Sequence, residues 1–424
     1  MNSQNEFEKS VLGAVFLDPS SLDDVLPLLA PNDFAGTNHQ AIYTAIKAMA
    51  ESGSPIDLVT MTASLKDAGQ LELAGGTSYL SELVDFVPTA ANVGYYVRKV
   101  RGESARRKTE TLLVEELSRL KGGDSLSDVQ ERVEATFLLM SADHKGGPQL
   151  VASVLPKLME QVDHSQKSPG RVNGLETGYS RLDQSVGGLR GGDLVIVAGR
   201  PSMGKTAFTL NIAENVAGAG KQVAFFSLEM TRIQLTERLV FGRAEVDSVK
   251  ARIGKLESND IRRILGAAES LHAVPLHIDD TSALSVFQLR SHCRRMKRKG
   301  GVDLIIVDYL QLMRGSGDSR VQEIGNISRS LKALAKELDV PVIALSQLNR
   351  SLESRTEKRP TLSDLRDSGE IEQDADLVWM LYRDVVYNKK ANPREAELNM
   401  AKNRRGPCGT VRLYFDAQFT RFTA

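Results

Sequence analysis

Residues 199–206 read Gly-Arg-Pro-Ser-Met-Gly-Lys-Thr, which fits the pattern GxxxxGK[ST] at every fixed position. Few short patterns restrict a fold so tightly. Phosphate oxygens need several converging backbone N–H donors, and the glycines let the chain curl closely enough to present them. The loop must leave a buried strand and enter a helix whose positive end faces the anion. The apolar run 194–198 supplies the strand, and helical sequence follows Thr206. Lys205 is placed to neutralise the β- and γ-phosphates, and Thr206 to ligate Mg²⁺. The expected cradle is therefore Gly199, Arg200, Pro201, Ser202, Met203, Gly204, Lys205 and Thr206.

Around this anchor, from about residue 174 onward, short apolar runs alternate with helical stretches. They lie at 194–198, 223–227, 275–279, 303–308, 341–346 and 376–381. This is the signature of an α/β domain with a largely parallel sheet. Two further segments, 395–404 and 409–415, flank Gly406-Pro407-Cys408-Gly409 and predict a closing hairpin.

Strand tips in such a sheet carry the chemistry. The run Leu304-Ile305-Ile306-Val307-Asp308 ends in an acid suited to hold the water shell of the metal. Tyr309 follows it, so a water-activating carboxylate must come from elsewhere. Glu229, at the end of the run 225–229, is the candidate; a helix N-cap acid is the alternative. Gln347, ending the strand 342–346, is placed to sense the γ-phosphate. Lys402 and Arg404 lie one residue apart on a predicted strand and so share a face. They are either a solvated edge that discourages aggregation or cations reaching into a neighbour's nucleotide site.

The first 140 or so residues read as helical throughout. Asp18 is an N-cap candidate, and helices are expected near 38–52, 57–69 and 76–87, separated by glycine breaks. A long charged helix over 90–121 ends at Gly122-Gly123. Leu126, Val129, Val133, Phe137 and Met140 then continue an apolar stripe, which predicts an antiparallel helical hairpin. The stripe suits either a monomer core or a subunit contact. Residues 143–173 read as a linker with one short helix around 155–162, packed locally or on a neighbouring subunit. The expected organisation is 1–142, a linker 143–173, and 174–424.

Composition excludes several function classes. Two cysteines and six histidines, with no metal-ligand spacing, exclude a disulfide scaffold or a cysteine-rich zinc site. The polar start and the lack of a long apolar run predict a soluble, cytoplasmic protein with no membrane partner. With 54 basic and 54 acidic residues, any nucleic-acid surface must be local. Two loops at the active edge suit it: 314–320, with Arg314 and Arg320, and 351–369, with Arg366, Asp367 and Gly369. Neither contains an aromatic residue, so backbone-phosphate contact with single-stranded nucleic acid is expected rather than base stacking. The basic run 294–299 is a second candidate, or the exposed face of a helix.

GRPSMGKT at 199–206, FSLEM at 226–230, IIVDYLQLM at 305–313, SQLNR at 346–350, RPTLSDLRDSGEIEQDAD at 359–376 and AKNRRGPCGT at 401–410 together resemble the DnaB replicative helicases. VLGAVFLDP at 11–19, PIDLVTM at 55–61 and TAANVGYYVRKVR at 89–101 resemble that family's N-terminal domain. The resemblance spans nearly the whole chain. It implies a RecA-like P-loop motor with a separate all-α N-terminal collar, assembled as a homohexamer. It further implies translocation on one DNA strand (5′ to 3′), hydrolysis of ATP or another NTP with Mg²⁺, unwinding of forked DNA, and engagement of primase and a helicase loader. By motif, Glu229 is then the catalytic base and Asp308 the metal-water acid. Gln347 becomes the γ-phosphate sensor, Lys402 and Arg404 act in trans, and Arg366, Asp367 and Gly369 fall on the DNA loop. One departure stands out: the family usually has RESG where this chain has Arg366-Asp367-Ser368-Gly369, one methylene shorter at the acid. Contacts that depend on a longer C-terminal tail are not expected. The competing class is a RecA- or RadA-like filament-forming ATPase, which would share the motor core but not the helical N-terminal region.

Overall fold

The computed structural model describes residues 3–126, 128–129, 132–133, 136, 150–167, 172–315 and 319–424. The chain divides into two compact units, Met1–Gly147 and Pro148–Ala424.

The described part of the first unit is helical. Helix Ser3–Leu17 carries Val11, Leu12, Ala14 and Val15 into a core shared with helices Thr37–Glu51, Leu58–Asp67, Gly76–Phe86 and Val93–Lys121. Packing is close: a Cβ on Gly13 would lie 2.3 Å from the Leu83 carbonyl oxygen. Asp57 starts its helix by accepting from the Val59 and Thr60 amides at 2.9 and 2.8 Å, which satisfies donors that a helix start leaves unpaired. Glu8 and His39, both buried, pair at 2.7 Å, and Tyr79 contacts the other ring nitrogen of His39 at 2.6 Å. The second hairpin helix expected over 124–140 lies largely outside the described residues, Phe137 and Met140 included. Its beginning is tied back by Arg132, which donates to Glu116 at 3.0 Å and Asp124 at 2.7 Å.

In the second unit the linker helix spans Val151–Lys167, longer than the expected 155–162. Pro156 lies within its second turn.

A nine-stranded sheet follows, in the order β3-β2-β4-β5-β1-β6-β7-β8-β9. Its strands are β1 Leu194–Gly199, β2 Val223–Ser227, β3 Leu276–Asp279, β4 Leu304–Asp308, β5 Val342–Gln347, β6 Leu377–Tyr382, β7 Glu395–Asn403, β8 Gly409–Asp416 and β9 Arg421–Thr423. The first six named pair in parallel, and β7–β9 add antiparallel strands. The parallel strands β1, β2, β4 and β6 are buried at every position, because helices cover both faces; this is why they read as unbroken apolar runs. One face packs Val195, Val197, Phe208 and Trp379, the other Ile196, Ile305, Leu331 and Val378. This is the RecA-like arrangement. The strand β9 was not expected: three residues are too few to show a pattern. It is held by pairing with β8 and by the Phe422 amide donating to Asn211 at 2.9 Å.

Candidate active site

The loop between β1 and helix Lys205–Gly218 has the curled backbone that phosphate binding demands. Ser202 and Gly204 both adopt positive φ, 67° and 96°. At Gly204 a Cβ would also meet the Phe422 ring at 3.0 Å, so this glycine is required by conformation and by space.

A cavity of about 430 Å³ opens over this loop. It is lined by Pro201, Ser202, Gly204, Lys205 and Thr206, by Glu229 beyond β2, by Asp308 and Tyr309 at the tip of β4, and by Gln347 at the tip of β5. Parallel strands all end on the same edge, so residues about a hundred apart in sequence converge. The sequence-derived nucleotide residues are thus brought together, with two side-chain exceptions. Arg200 turns its guanidinium away from the cavity to Glu353 and the Leu348 carbonyl. Met203 is buried, with its sulfur receiving the Arg383 amide.

The electrostatics suit a polyanion with a cation. Lys205 Nζ donates to the Gly199 carbonyl at 2.8 Å and the Arg200 carbonyl at 3.4 Å. Burial lowers its pKa to about 8, against the opposing pull of Asp308 and Glu229. Burial also pushes the Asp308 carboxyl up to about 6; Glu229 adds to this, while the Thr206 hydroxyl bond and Lys205 oppose it. One Asp308 oxygen, Oδ2, is buried with no hydrogen-bond partner. A buried, unpaired carboxylate oxygen beside the Thr206 hydroxyl fits a divalent metal. Among the described residues no cluster of three or more His, Cys, Asp or Glu could cage a metal alone. Mg²⁺ is commonly held with few protein ligands, completed by phosphate oxygens and water.

Two residues of this corner escaped sequence reasoning. Arg238, on helix Arg232–Ala244, lines the cavity; burial lowers its pKa, with Asp308 and Glu229 acting the other way. Nothing in its neighbourhood marks it except that Leu235 and Leu239 are buried on the same helix. Gln311 brackets the end of β5, donating to Ser346 Oγ at 3.0 Å and accepting from the Gln347 amide at 3.3 Å. Its signal lay within IIVDYLQLM.

Lys402 and Arg404 occupy the opposite end of the sheet. Register aligns Lys402 with Val378 and Asn403 with Leu377, level with Ile196 and Val195 of β1. The four steps from Val195 to Gly199 amount to about 13 Å at ~3.3 Å per residue, before the widths of two strands are added. Neither cation reaches its own chain's phosphate loop. Arg404 is not on the strand as expected but is the first residue of the turn after it. Both side chains still converge. Arg404 donates to the Gln373 carbonyl at 2.5 Å and pairs with Asp376 at 3.4 Å. Lys402 donates to the Glu372 carbonyl and, at 3.4 Å, to that of Gln373. They thus cap helix Gly369–Asp374. Burial, helped by the neighbouring Arg404 charge, holds the Lys402 ammonium below the usual lysine range.

Of the expected DNA-loop residues, Arg314 is exposed, and its backbone forms an isolated parallel bridge with Ser285. Arg320 opens helix Arg320–Leu338 and is bonded to Glu323 and the Gln311 carbonyl. Gly369 is exposed at the start of its helix. Arg366 and Asp367 sit on the turn Leu362–Ser368, and their side chains lie outside the described part. Residues 316–318 are likewise outside it. Helix Val286–Lys299 carries the basic run 294–299; Arg294 pairs with Glu337, and Arg295, Arg298 and Lys299 are not buried.

Known proteins share this geometry. The DnaB-like helicase C-terminal domain matches residues 174–424, and the DnaB-like helicase N-terminal domain matches 1–102. The chain belongs to the DnaB-like helicase family. It is 45% identical to the replicative DNA helicase DnaB of Geobacillus stearothermophilus, over 98% of this chain and 93% of that one. To the replicative DNA helicase DnaC of Bacillus subtilis (strain 168) it is 42% identical over the same shares. Among solved structures, a DnaB-like replicative helicase described together with its interactions with primase superposes with a TM-score of 0.73 at 31% identity, over 99% of each chain. A second solved structure, of an ATPase domain alone, gives 0.63 at 37% identity, over 65% of this chain and 99% of that one. The relatives being replicative helicases, membership in the DnaB-like family displaces the recombinase alternative.

Proposed function

We propose that this chain is the motor subunit of a replicative DNA helicase. Six copies form a ring that moves 5′ to 3′ on single-stranded DNA and unwinds the duplex at the fork by hydrolysing ATP or a related nucleoside triphosphate. The convergence of Lys205, Thr206, Glu229, Asp308 and Gln347 around one cavity carries this reading.

In the reading, backbone amides of 199–206 and the Lys205 ammonium bind the phosphates, while Thr206 and Asp308 hold Mg²⁺. The metal, when bound, offsets charge that develops on the β- and γ-phosphate oxygens. Glu229 accepts a proton from the attacking water, and Gln347 registers the γ-phosphate. Lys402 and Arg404, too far from their own loop, serve the nucleotide of an adjacent copy. Arg314, Arg320, Arg366, Asp367 and Gly369 lie on the DNA-facing loops, whose contacts with phosphate carry no sequence preference.

Primase and a helicase loader are the expected protein partners; the primase-interacting relative supports the first. No helix among the described residues is long and apolar enough to cross a membrane, in keeping with a role in the cytoplasm. The test is strand displacement on a forked DNA with 5′ and 3′ tails, ATP and Mg²⁺. Unwinding that requires a free 5′ tail supports the proposal. DNA-stimulated hydrolysis with no displacement, loader supplied, would overturn it.

A further inference from the structure

The second residue of the phosphate loop points away from the phosphates. Arg200 is 7% exposed and does not line the nucleotide cavity. Its Nη1 donates to the Leu348 carbonyl at 2.8 Å, while Nε and Nη2 both donate to one oxygen of Glu353, at 3.0 and 2.6 Å. Leu348 directly follows Gln347, and Glu353 lies on the turn Arg350–Ser354. Charge-assisted bonds from a buried guanidinium are strong and directional.

That turn is tied onward. Lys358 donates to the carbonyls of Glu353 and Arg355 at 2.7 and 3.1 Å. Arg355 pairs with Asp364, whose side chain is fully buried. Asp364 accepts the Thr361 amide at 2.8 Å, and its carbonyl accepts the Asn349 amide at 3.1 Å. Asp364 belongs to the turn Leu362–Ser368, which carries Arg366 and Asp367. A continuous run of ionic and hydrogen-bonded contacts therefore joins the phosphate loop to the turn assigned to DNA.

We propose that Arg200 and Glu353 are a positioning pair that makes affinity for single-stranded DNA depend on nucleotide occupancy. The pair rests on the helicase reading and adds a second link beside Gln347. The same residue is tied to the phosphate-binding lysine: the Arg200 carbonyl accepts from Lys205 Nζ at 3.4 Å. Phosphates that draw the ammonium away release this carbonyl, and the shift of the loop passes through the guanidinium to Glu353. Glu353 bears a negative charge, so it is not itself a phosphate contact.

Contiguity alone does not establish coupling, so the test measures it. Binding of a fluorescein-labelled oligo(dT) to the full chain is followed with a non-hydrolysable ATP analogue and without nucleotide. The wild type should show a ratio of about 5-fold or more, the lower range of ordinary coupling. Glu353→Gln should bring that ratio to within about 2-fold of unity, with DNA-free hydrolysis unchanged and Tm lowered by only a few degrees, roughly what the loss of one such partner costs. Glu357→Gln removes a negative charge from the same loop and should keep the wild-type ratio. Arg200→Gln alone should lose about as much coupling as Glu353→Gln, and the double variant no more than either, as residues of one link do. A ratio retained in Glu353→Gln, or additive losses in the double variant, overturns the pair while leaving the helicase reading intact. A wild type with no nucleotide dependence and no DNA-stimulated hydrolysis sinks the helicase reading itself.

Discussion

Two corners of one sheet carry the cations of this motor, and they are built differently. At the tips of β1, β4 and β5, Lys205 and Arg238 face the acids Asp308 and Glu229 across an open cavity, with a carboxylate oxygen left unpaired. At the other end of β6 and β7, Lys402 and Arg404 are occupied by carbonyls and by Asp376. Asp376 is itself committed, accepting the Leu194 amide at 2.8 Å and Lys332 at 2.5 Å. The first corner is a receptacle with unmet bonding capacity. The second is a satisfied fold element carrying charge at the surface. A site incomplete within one chain and a cation pair unable to reach it suggest that the two corners serve different copies.

The largest effect that would break this contrast is at the second corner. Arg404→Ala should leave nucleotide binding near normal yet lower turnover by roughly 10³-fold or more, as loss of an arginine finger does; steady-state hydrolysis beside nucleotide titration checks it, and normal turnover refutes the assignment in trans. Lys205→Ala should reduce hydrolysis by about 10²–10³-fold through lost charge stabilisation, and it should weaken nucleotide binding as well. Mixing the two variants should recover part of the activity, because some interfaces then pair an intact loop with an intact finger. No recovery in mixed assemblies argues that both residues act within one chain.

The pH dependence sharpens the comparison. Asp308 is pushed up to about 6 and Lys205 down to about 8, so the functional pair, carboxylate and ammonium, is most populated between these values in the free protein. kcat/KM for ATP should therefore fall about tenfold per pH unit below roughly 6, where Asp308 takes up a proton, and fall again above roughly 8, where Lys205 loses one. Asp308→Asn should remove the acid limb from whatever activity survives; a persisting limb assigns it to another group. The smallest expected change is Thr231→Ala. Thr231 accepts the Gln234 amide at 3.4 Å and caps the helix bearing Arg238. Its loss should cost about 1 kcal/mol of stability, read by urea unfolding, with kcat scarcely altered. A fall in kcat comparable to that of Lys205→Ala would mean that Arg238 needs far tighter placement than its partly buried position suggests.

Legibility in the sequence followed locality. The phosphate loop spans eight residues, and its conformation is dictated by glycines within it, so its backbone shape could be read directly. Asp308 and Gln347 were readable because buried parallel strands are unbroken apolar runs with distinct ends. Arg238 was not, since its place depends on how a helix rests against the sheet. The direction of the Arg200 side chain also lay beyond sequence, because its partner is 153 positions away. The strand β9 and the exit of Arg404 from β7 depend on pairing geometry that three or four residues do not encode. The linker helix runs past both ends of the apolar patch at 155–162 that made it legible, and beyond residue 162 the sequence is polar and carries no such pattern.

The placement of Lys402 and Arg404 away from the phosphate loop has a consequence for symmetry. A contact in which one corner serves the other joins unlike surfaces, so it is heterologous, and a two-fold axis cannot generate it. In the proposed assembly each copy would give with one face and receive with the other, and the chain of contacts would continue until rotation closes it. A step of one-sixth of a turn with no rise returns to the start with every receptacle served; the same step with a rise leaves one receptacle unserved at one filament end and one cation pair unused at the other. Closure is thus what turns a one-way contact into an assembly with no inactive member.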